Sequence, residues 1–176
     1  MLRRRLIQFA AFTLMELMTV IVIVGILATM VFGAMADLQY RADRANCVAN
    51  LKTLYTGAAI YIQQQGSWPQ VDPQHLAGGS TQYAQEWIDA LQPCGVARTN
   101  WVCPSVQRLL HNPDVTLSSN VRVDYIATPF DSKPMTPYLW PKQPWFAESA
   151  SVHGDGNMMI WGNGQTVSLK EALSYQ

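Results

Sequence analysis

The chain has 176 residues, 49% of them hydrophobic and 14% charged, with twelve basic and twelve acidic side chains and a formal net charge of zero. That balance excludes a basic nucleic-acid-binding surface. The length leaves room for one compact domain of roughly 110 residues beside a helical segment.

The first element follows an arginine cluster at Arg3, Arg4 and Arg5. Residues 12–36 form an apolar run whose only charge is Glu16, and no charged residue occurs from Leu17 to Ala36. About 20 apolar residues in a helix match the thickness of a bilayer core, where lipid offers backbone amides no partner outside the helix. Basic residues before the run and Asp37 after it predict a single span with a cytoplasmic N-terminus and the remainder outside. A secretory signal peptide has a shorter apolar core, roughly 7–15 residues, followed by a cleavage site. Here the helical pattern continues without a break. An acidic side chain at bilayer depth costs about 2.5–3.5 kcal/mol on insertion scales, so Glu16 calls for a partner.

Leu38, Ala42, Ala45, Val48, Leu51, Tyr55, Ala58 and Ile62 advance in steps of three or four and mark one apolar face. No proline occurs between Met1 and Trp68, and Gly66 followed by Pro69 supplies the stop. The prediction is a helix of about 50 residues, or about 75 Å. Beyond it, Gln82–Leu91 reads as a short helix with Tyr83, Trp87 and Leu91 on one face, and Pro104–His111 as another. Val121–Thr128 has an imperfect strand alternation. The segment 129–144 is proline-rich and set among Tyr138, Trp140 and Trp145, which predicts a packed loop. Met158–Gly162 and Gln165–Leu169 flank Asn163-Gly164, a pair suited to the type I′ turn of a two-residue hairpin. Lys170–Tyr175 reads as a last helical turn.

The stretch Ala11-Phe12-Thr13-Leu14-Met15-Glu16-Leu17 closely resembles the prepilin processing motif of type IV pilins and type II secretion pseudopilins. The resemblance extends to Asn50-Leu51-Lys52, Tyr61 and Gly66-Ser67-Trp68-Pro69 at the helix end, which look like the pseudopilin G-like branch. It also reaches Cys103-Pro104-Ser105, His153-Gly154-Asp155-Gly156-Asn157 and the final hairpin. The family's usual Gly before the cut is Ala11 here, and Asn163 stands where its hairpin turn usually carries Asp. The resemblance implies cleavage between Ala11 and Phe12 by a prepilin peptidase, N-methylation of Phe12, and Glu16 as the assembly carboxylate facing a neighbour's new amine. It implies an α+β, pilin-like fold: leader 1–11, membrane-spanning half of the helix 12–36, amphipathic half 37–66, and a globular head over 67–176 with short helices and an antiparallel hairpin. The implied partners are the inner membrane, the peptidase, other pilin-like subunits and the secretion or pilus assembly machinery.

Candidate chemistry is sparse. Three cysteines, Cys47, Cys94 and Cys103, would lie outside the cytoplasm, where disulfides persist, and an odd count leaves one over. A Cys94–Cys103 disulfide would staple the two short helices, contributing about 2–3 kcal/mol. Both are otherwise buried thiols, and Cys47 is an alternative partner for either. His153, Asp155 and Asn157 alternate in a glycine-rich loop, the one place where an acid–base pair or a metal site is conceivable. Such a loop more commonly uses these side chains to cap backbone amides. No calcium-type run of acidic residues completes a site there, and no nucleophile elbow or phosphate-binding loop is present. The expectation is therefore a structural subunit with no catalytic residue, metal or cofactor. A membrane-anchored extracytoplasmic enzyme or binding module using the His153/Asp155 loop is the alternative.

Overall fold

The computed structural model describes residues 13–77, 81–110 and 121–175; the leader, Ala11, Phe12 and His111 lie outside the described residues. The chain divides into two compact units, Met1–Gln39 and Tyr40–Gln176. Helix α1, Leu14–Gln65, begins in the first and ends in the second, with 52 residues and no interruption. Gly66 closes it, donating its amide to the Ile62 carbonyl at 2.9 Å. The expected length and stop are both observed.

In the second unit α1 buries Cys47, Leu51, Leu54, Ala58 and Ile62, which recur at helical spacing. This stripe is rotated from the expected one. Val48 and Tyr55 are only partly buried at its side, and Leu38 is exposed. Asp43 is also buried on α1, where Arg108 grips its carboxylate through both guanidinium nitrogens at 2.9 and 3.0 Å.

Three short helices follow: α2 (Gln74–Ala77), α3 (Thr81–Leu91) and α4 (Pro104–Leu110). The expected inward face of α3 is present, with Tyr83, Ala84, Trp87, Ile88 and Leu91 buried. Between α3 and α4 the chain makes two tight 3₁₀ turns, Gln92–Cys94 and Arg98–Trp101. These place Val96 and Trp101 in the core.

Strands β1 (Tyr125–Ala127), β2 (Pro144–Glu148), β3 (Met158–Trp161) and β4 (Thr166–Ser168) form one antiparallel meander in the order β1-β2-β3-β4. Register pairs Ile126 with Ala147, Ala147 with Met159, and Met159 with Val167. The strand expected over 121–128 is shorter because the Asp124 amide is diverted to Trp101 O at 2.8 Å, although its carbonyl still accepts from Ser149 N, its counterpart on the β2 side, at 2.8 Å. The segment between β1 and β2 contains helix α5 (Thr136–Leu139) and is packed only in part: Pro137 is buried and Phe130 partly buried, whereas Tyr138, Leu139 and Trp140 are exposed, against the expectation from its aromatic density. Trp145 anchors it by donating its indole N–H to Pro137 O at 3.0 Å.

The β3–β4 hairpin is present, but its turn differs from the expected type. Gly164 N donates to Trp161 O and Trp161 N to Gln165 O, both at 2.9 Å, so the loop is Gly162–Gly164 and not a two-residue turn. Gly164 takes φ 79°, and Asn163 Oδ1 accepts from Gln165 N at 2.9 Å. One left-handed residue suffices in a three-residue loop, which relieves Asn163 of the positive φ that a type I′ turn demands. Helix α6, Leu169–Ser174, ends the chain behind a reciprocal cap between Ser168 and Glu171.

The sheet, α3 and the second half of α1 meet around Trp68. Its ring lies 5.0 Å from Phe130, 5.2 Å from Trp145, and 5.8 Å from Trp87 and from Phe146. Most of these contacts are edge-on, the arrangement that aromatic quadrupoles prefer.

Candidate functional site

Two parts of the molecule carry features that packing alone does not require. The first is the start of α1. Thr13 Oγ1 accepts the Glu16 amide at 3.2 Å, while Glu16 Oε2 accepts the Thr13 amide at 3.1 Å and its hydroxyl at 3.0 Å. This is a capping box, each side chain satisfying an amide that the first helical turn leaves open. The Thr-x-x-Glu spacing announces it in the sequence, so Glu16 has a role within its own chain besides the intermolecular one that the resemblance implies. Downstream, the large apolar side chains from Leu14 to Met30 are all more than half exposed, the lowest being Val20 at 51%. They occupy every side of the helix: Val20, Ile21, Val22, Ile23 and Val24 are consecutive. Among the described residues no helix is long and apolar enough to cross a membrane. The side chains of residues 31–34 and 36, which complete the run read from the sequence, lie outside the described residues.

The second part is a buried polar cluster in the unit from Tyr40 onward. Cys47 on α1, Cys103 just before α4, Glu148 at the end of β2 and His153 in the β2–β3 loop are each no more than 3% exposed. Their Sγ, Sγ, carboxylate and imidazole atoms all lie within 4.8 Å of one another. His153 Nε2 is 3.0 Å from Glu148 Oε1, and Cys103 Sγ is 3.7 Å from each of those two atoms. Neighbouring groups hold the cluster in place. Glu148 Oε2 accepts from Met158 N at 2.9 Å, Asn157 Nδ2 donates to Glu148 O at 2.7 Å, and Tyr40 Oη donates to His153 O. Cys103 N donates to Asp124 Oδ2 at 2.8 Å, and Arg122 Nε pairs with the other oxygen at 2.8 Å. Asp124 is nevertheless pushed upward in pKa, because burial outweighs these partners.

The two thiols are unequal. A hydrogen bond from Cys47 pulls the Cys103 thiol down to about 7, helped by the Val106 amide and His153 against burial and the Glu148 charge. The Cys47 thiol is pushed far up by the same hydrogen bond and by burial, with the Tyr125 hydroxyl opposing. The two thiols titrate as a coupled pair, with Cys103 drawn toward the thiolate and Cys47 held as the thiol.

The expected Cys94–Cys103 disulfide is not made, and all three cysteines are free. The 3₁₀ turn at Gln92–Cys94 directs Cys94 Sγ toward Gln64 Oε1, 3.9 Å away, while Cys103 faces Cys47 and Glu148. The His153 loop likewise fails to gather its own side chains. His153 turns inward, Asp155 turns outward to Arg44 at 3.4 Å, and Asn157 braces the Glu148 carbonyl. The partners these three side chains take are Glu148, Arg44 and the Glu148 carbonyl, and not one another. A cavity of 380 Å³ lies elsewhere, lined by Pro69, Tyr83, Trp87, Ile126 and Phe130, and apart from Asp72 it offers no acidic or basic side chain.

The sequence alone points to no metal ligand and offers Cys47 only as an alternative disulfide partner. Cys47 and Cys103 stand far apart in the chain, as do Cys103 and His153, which are separated by 50 positions. No short metal-binding spacing marks them. Cys47 lies off the apolar face expected for α1, so no local signal marks the cluster.

No family model and no solved structure matches the chain. It is similar to a type IV major pilin protein, PilE1 of Neisseria gonorrhoeae, with 27% identity over 107 residues, covering 60% of this chain. The chain matches about half the length of that relative, 50%. The similarity supports a pilin-like family, and the α+β architecture with its antiparallel sheet is consistent with a pilin-like fold.

Proposed function

We propose that this chain is a pilin-like structural subunit, and more finely a type II secretion pseudopilin. It is cut between Ala11 and Phe12, methylated at Phe12, and built through its apolar helix into a filament rooted in the inner membrane. The observation that carries the reading is the girdle of exposed apolar side chains from Leu14 to Met30. A helix that is apolar on every side is stable only when covered on every side. Each half-exposed Val, Ile or Leu stands to gain about 1 kcal/mol or more from cover, half of what full burial is worth. Lipid covers the segment before assembly, and the same segments of neighbouring copies cover it afterwards. The similarity to a pilin supports the second cover.

A photo-crosslinking residue at Ile23 tests this cover in cells that make the processing peptidase. The expected products are adducts at multiples of the chain's mass. Adducts with lipid alone would place the segment in the bilayer permanently and contradict assembly through it.

A further inference from the structure

We propose that Cys47, Cys103, Glu148 and His153 bind one zinc ion as a closed structural site. The argument starts from cost. Burying two thiols, a carboxylate and an imidazole in contact gains nothing over apolar residues of similar volume, because desolvation consumes the attraction between such groups. Yet the fold draws them from four separate segments into one place and leaves each at most 3% exposed. A cation that all four ligate turns that placement into an advantage.

Geometry agrees. In a tetrahedral zinc site, metal–sulfur bonds of about 2.3 Å and metal–nitrogen or metal–oxygen bonds of about 2.0–2.2 Å put neighbouring ligand atoms about 3.3–3.8 Å apart. Here sulfur to nitrogen and sulfur to oxygen are both 3.7 Å, nitrogen to oxygen is 3.0 Å, and every pair lies within 4.8 Å. Changes of up to about 1 Å in these separations close the shell. The donor set selects the ion. Two thiolates and an imidazole suit zinc and disfavour calcium or magnesium, which want oxygen ligands. Four protein ligands leave no open position for a reacting water, so the role is structural.

The surroundings also fit. The Val106 amide hydrogen-bonds Cys103 Sγ, the Tyr125 hydroxyl hydrogen-bonds Cys47, and Met158 N holds the carboxylate oxygen that does not face His153. These are the outer partners that orient ligands around a metal. The imidazole is the exception: Nε2 points into the cluster, but Nδ1 is buried without the outer hydrogen-bond partner that a zinc-bound histidine usually has. Loading the site forms four bonds to the ion and releases the thiol protons of Cys47 and Cys103 to solvent, with no change of oxidation state. The ion would tie α1 to the sheet through side chains from α1, the approach to α4, β2 and the β2–β3 loop.

The test uses the full chain purified in detergent without chelator or added metal. Elemental analysis should find one zinc per chain. After exchange with cobalt, the visible absorption of a tetrahedral site should appear together with a sulfur-to-cobalt charge-transfer band. Glu148→Gln, which keeps the shape of the side chain, should weaken zinc binding by more than the roughly 10–100-fold that losing an outer partner costs. Chelation should lower the melting temperature of the wild type and leave that of Glu148→Gln nearly unchanged. A chain free of zinc, or one two mass units light with a Cys47–Cys103 disulfide, overturns the proposal; so does cobalt bound without the thiolate band. Each readout is independent of filament assembly, so failure here leaves the subunit reading standing.

Discussion

Glu16→Ala should abolish incorporation into filaments while leaving the amount of chain in the membrane unchanged. In the proposed assembly the Glu16 carboxylate faces the amine that cleavage exposes at Phe12 of a neighbouring copy. Removing one member of a buried ion pair strands the other at a cost of about 3–5 kcal/mol. Since 1.36 kcal/mol is a factor of ten, incorporation should fall about 100-fold or more. The capping box offers a competing explanation, because Thr13 and Glu16 bond each other within one chain. Glu16→Gln separates the two. Glutamine also serves in a capping box but carries no charge, so the ion-pair account predicts that Gln is nearly as defective as Ala. Thr13→Ala, which removes the cap and keeps the charge, should incorporate almost normally, costing only the helix-capping energy of about 1 kcal/mol. A functional Glu16→Gln chain beside a defective Thr13→Ala chain would make Glu16 a cap and nothing more. Electron-microscopic counts of filaments, with immunoblots of membrane and sheared fractions, read all three.

Trp68→Ala should destabilise the unit from Tyr40 onward by about 3–5 kcal/mol, the range for deleting a buried aromatic side chain. Trp68 is fully buried and touches four other rings, from the Phe130 loop, α3 and β2, so no single neighbour can collapse into the void. For a domain of this size the loss corresponds to a melting temperature lower by about 10 °C or more. Trp140→Ala is the internal control. That side chain is 63% exposed, and its removal should stay within about 0.5 kcal/mol. Thermal unfolding followed by near-ultraviolet circular dichroism reports both. Equal effects from the two tryptophans would mean that Trp68 does not organise the core.

Local rules carry far along this chain and stop where contacts become long-range. The helix end at Gly66, the inward face of α3, the start of α4 at Pro104 and the final hairpin were all readable, because each depends on residues a few positions apart. The phase of α1 was not. Choosing Leu54 over Tyr55 for the buried stripe depends on what lies opposite, and Tyr55 finds Trp145 at 4.6 Å on its flank. Strand β1 was read too long because nothing local shows Asp124 turning aside to bond Trp101 and Cys103. The disulfide expectation failed for a related reason. Proximity in sequence favoured Cys94 for Cys103, whereas the turn after α3 swings Cys94 away and α1 delivers Cys47. The buried cluster is the extreme case, four side chains from four segments joined only by tertiary structure. The start of α1 is the opposite case. Its Thr-x-x-Glu cap is a purely local pattern, legible from four consecutive residues.

The central claim is that the apolar helix serves assembly once the leader is gone, and the mass of the mature chain tests it most directly. Intact-protein and peptide mass spectrometry on material from cells with the processing peptidase should find a first residue of Phe12 bearing one added methyl group. A chain that still carries Arg3, Arg4 and Arg5 in those cells contradicts the account.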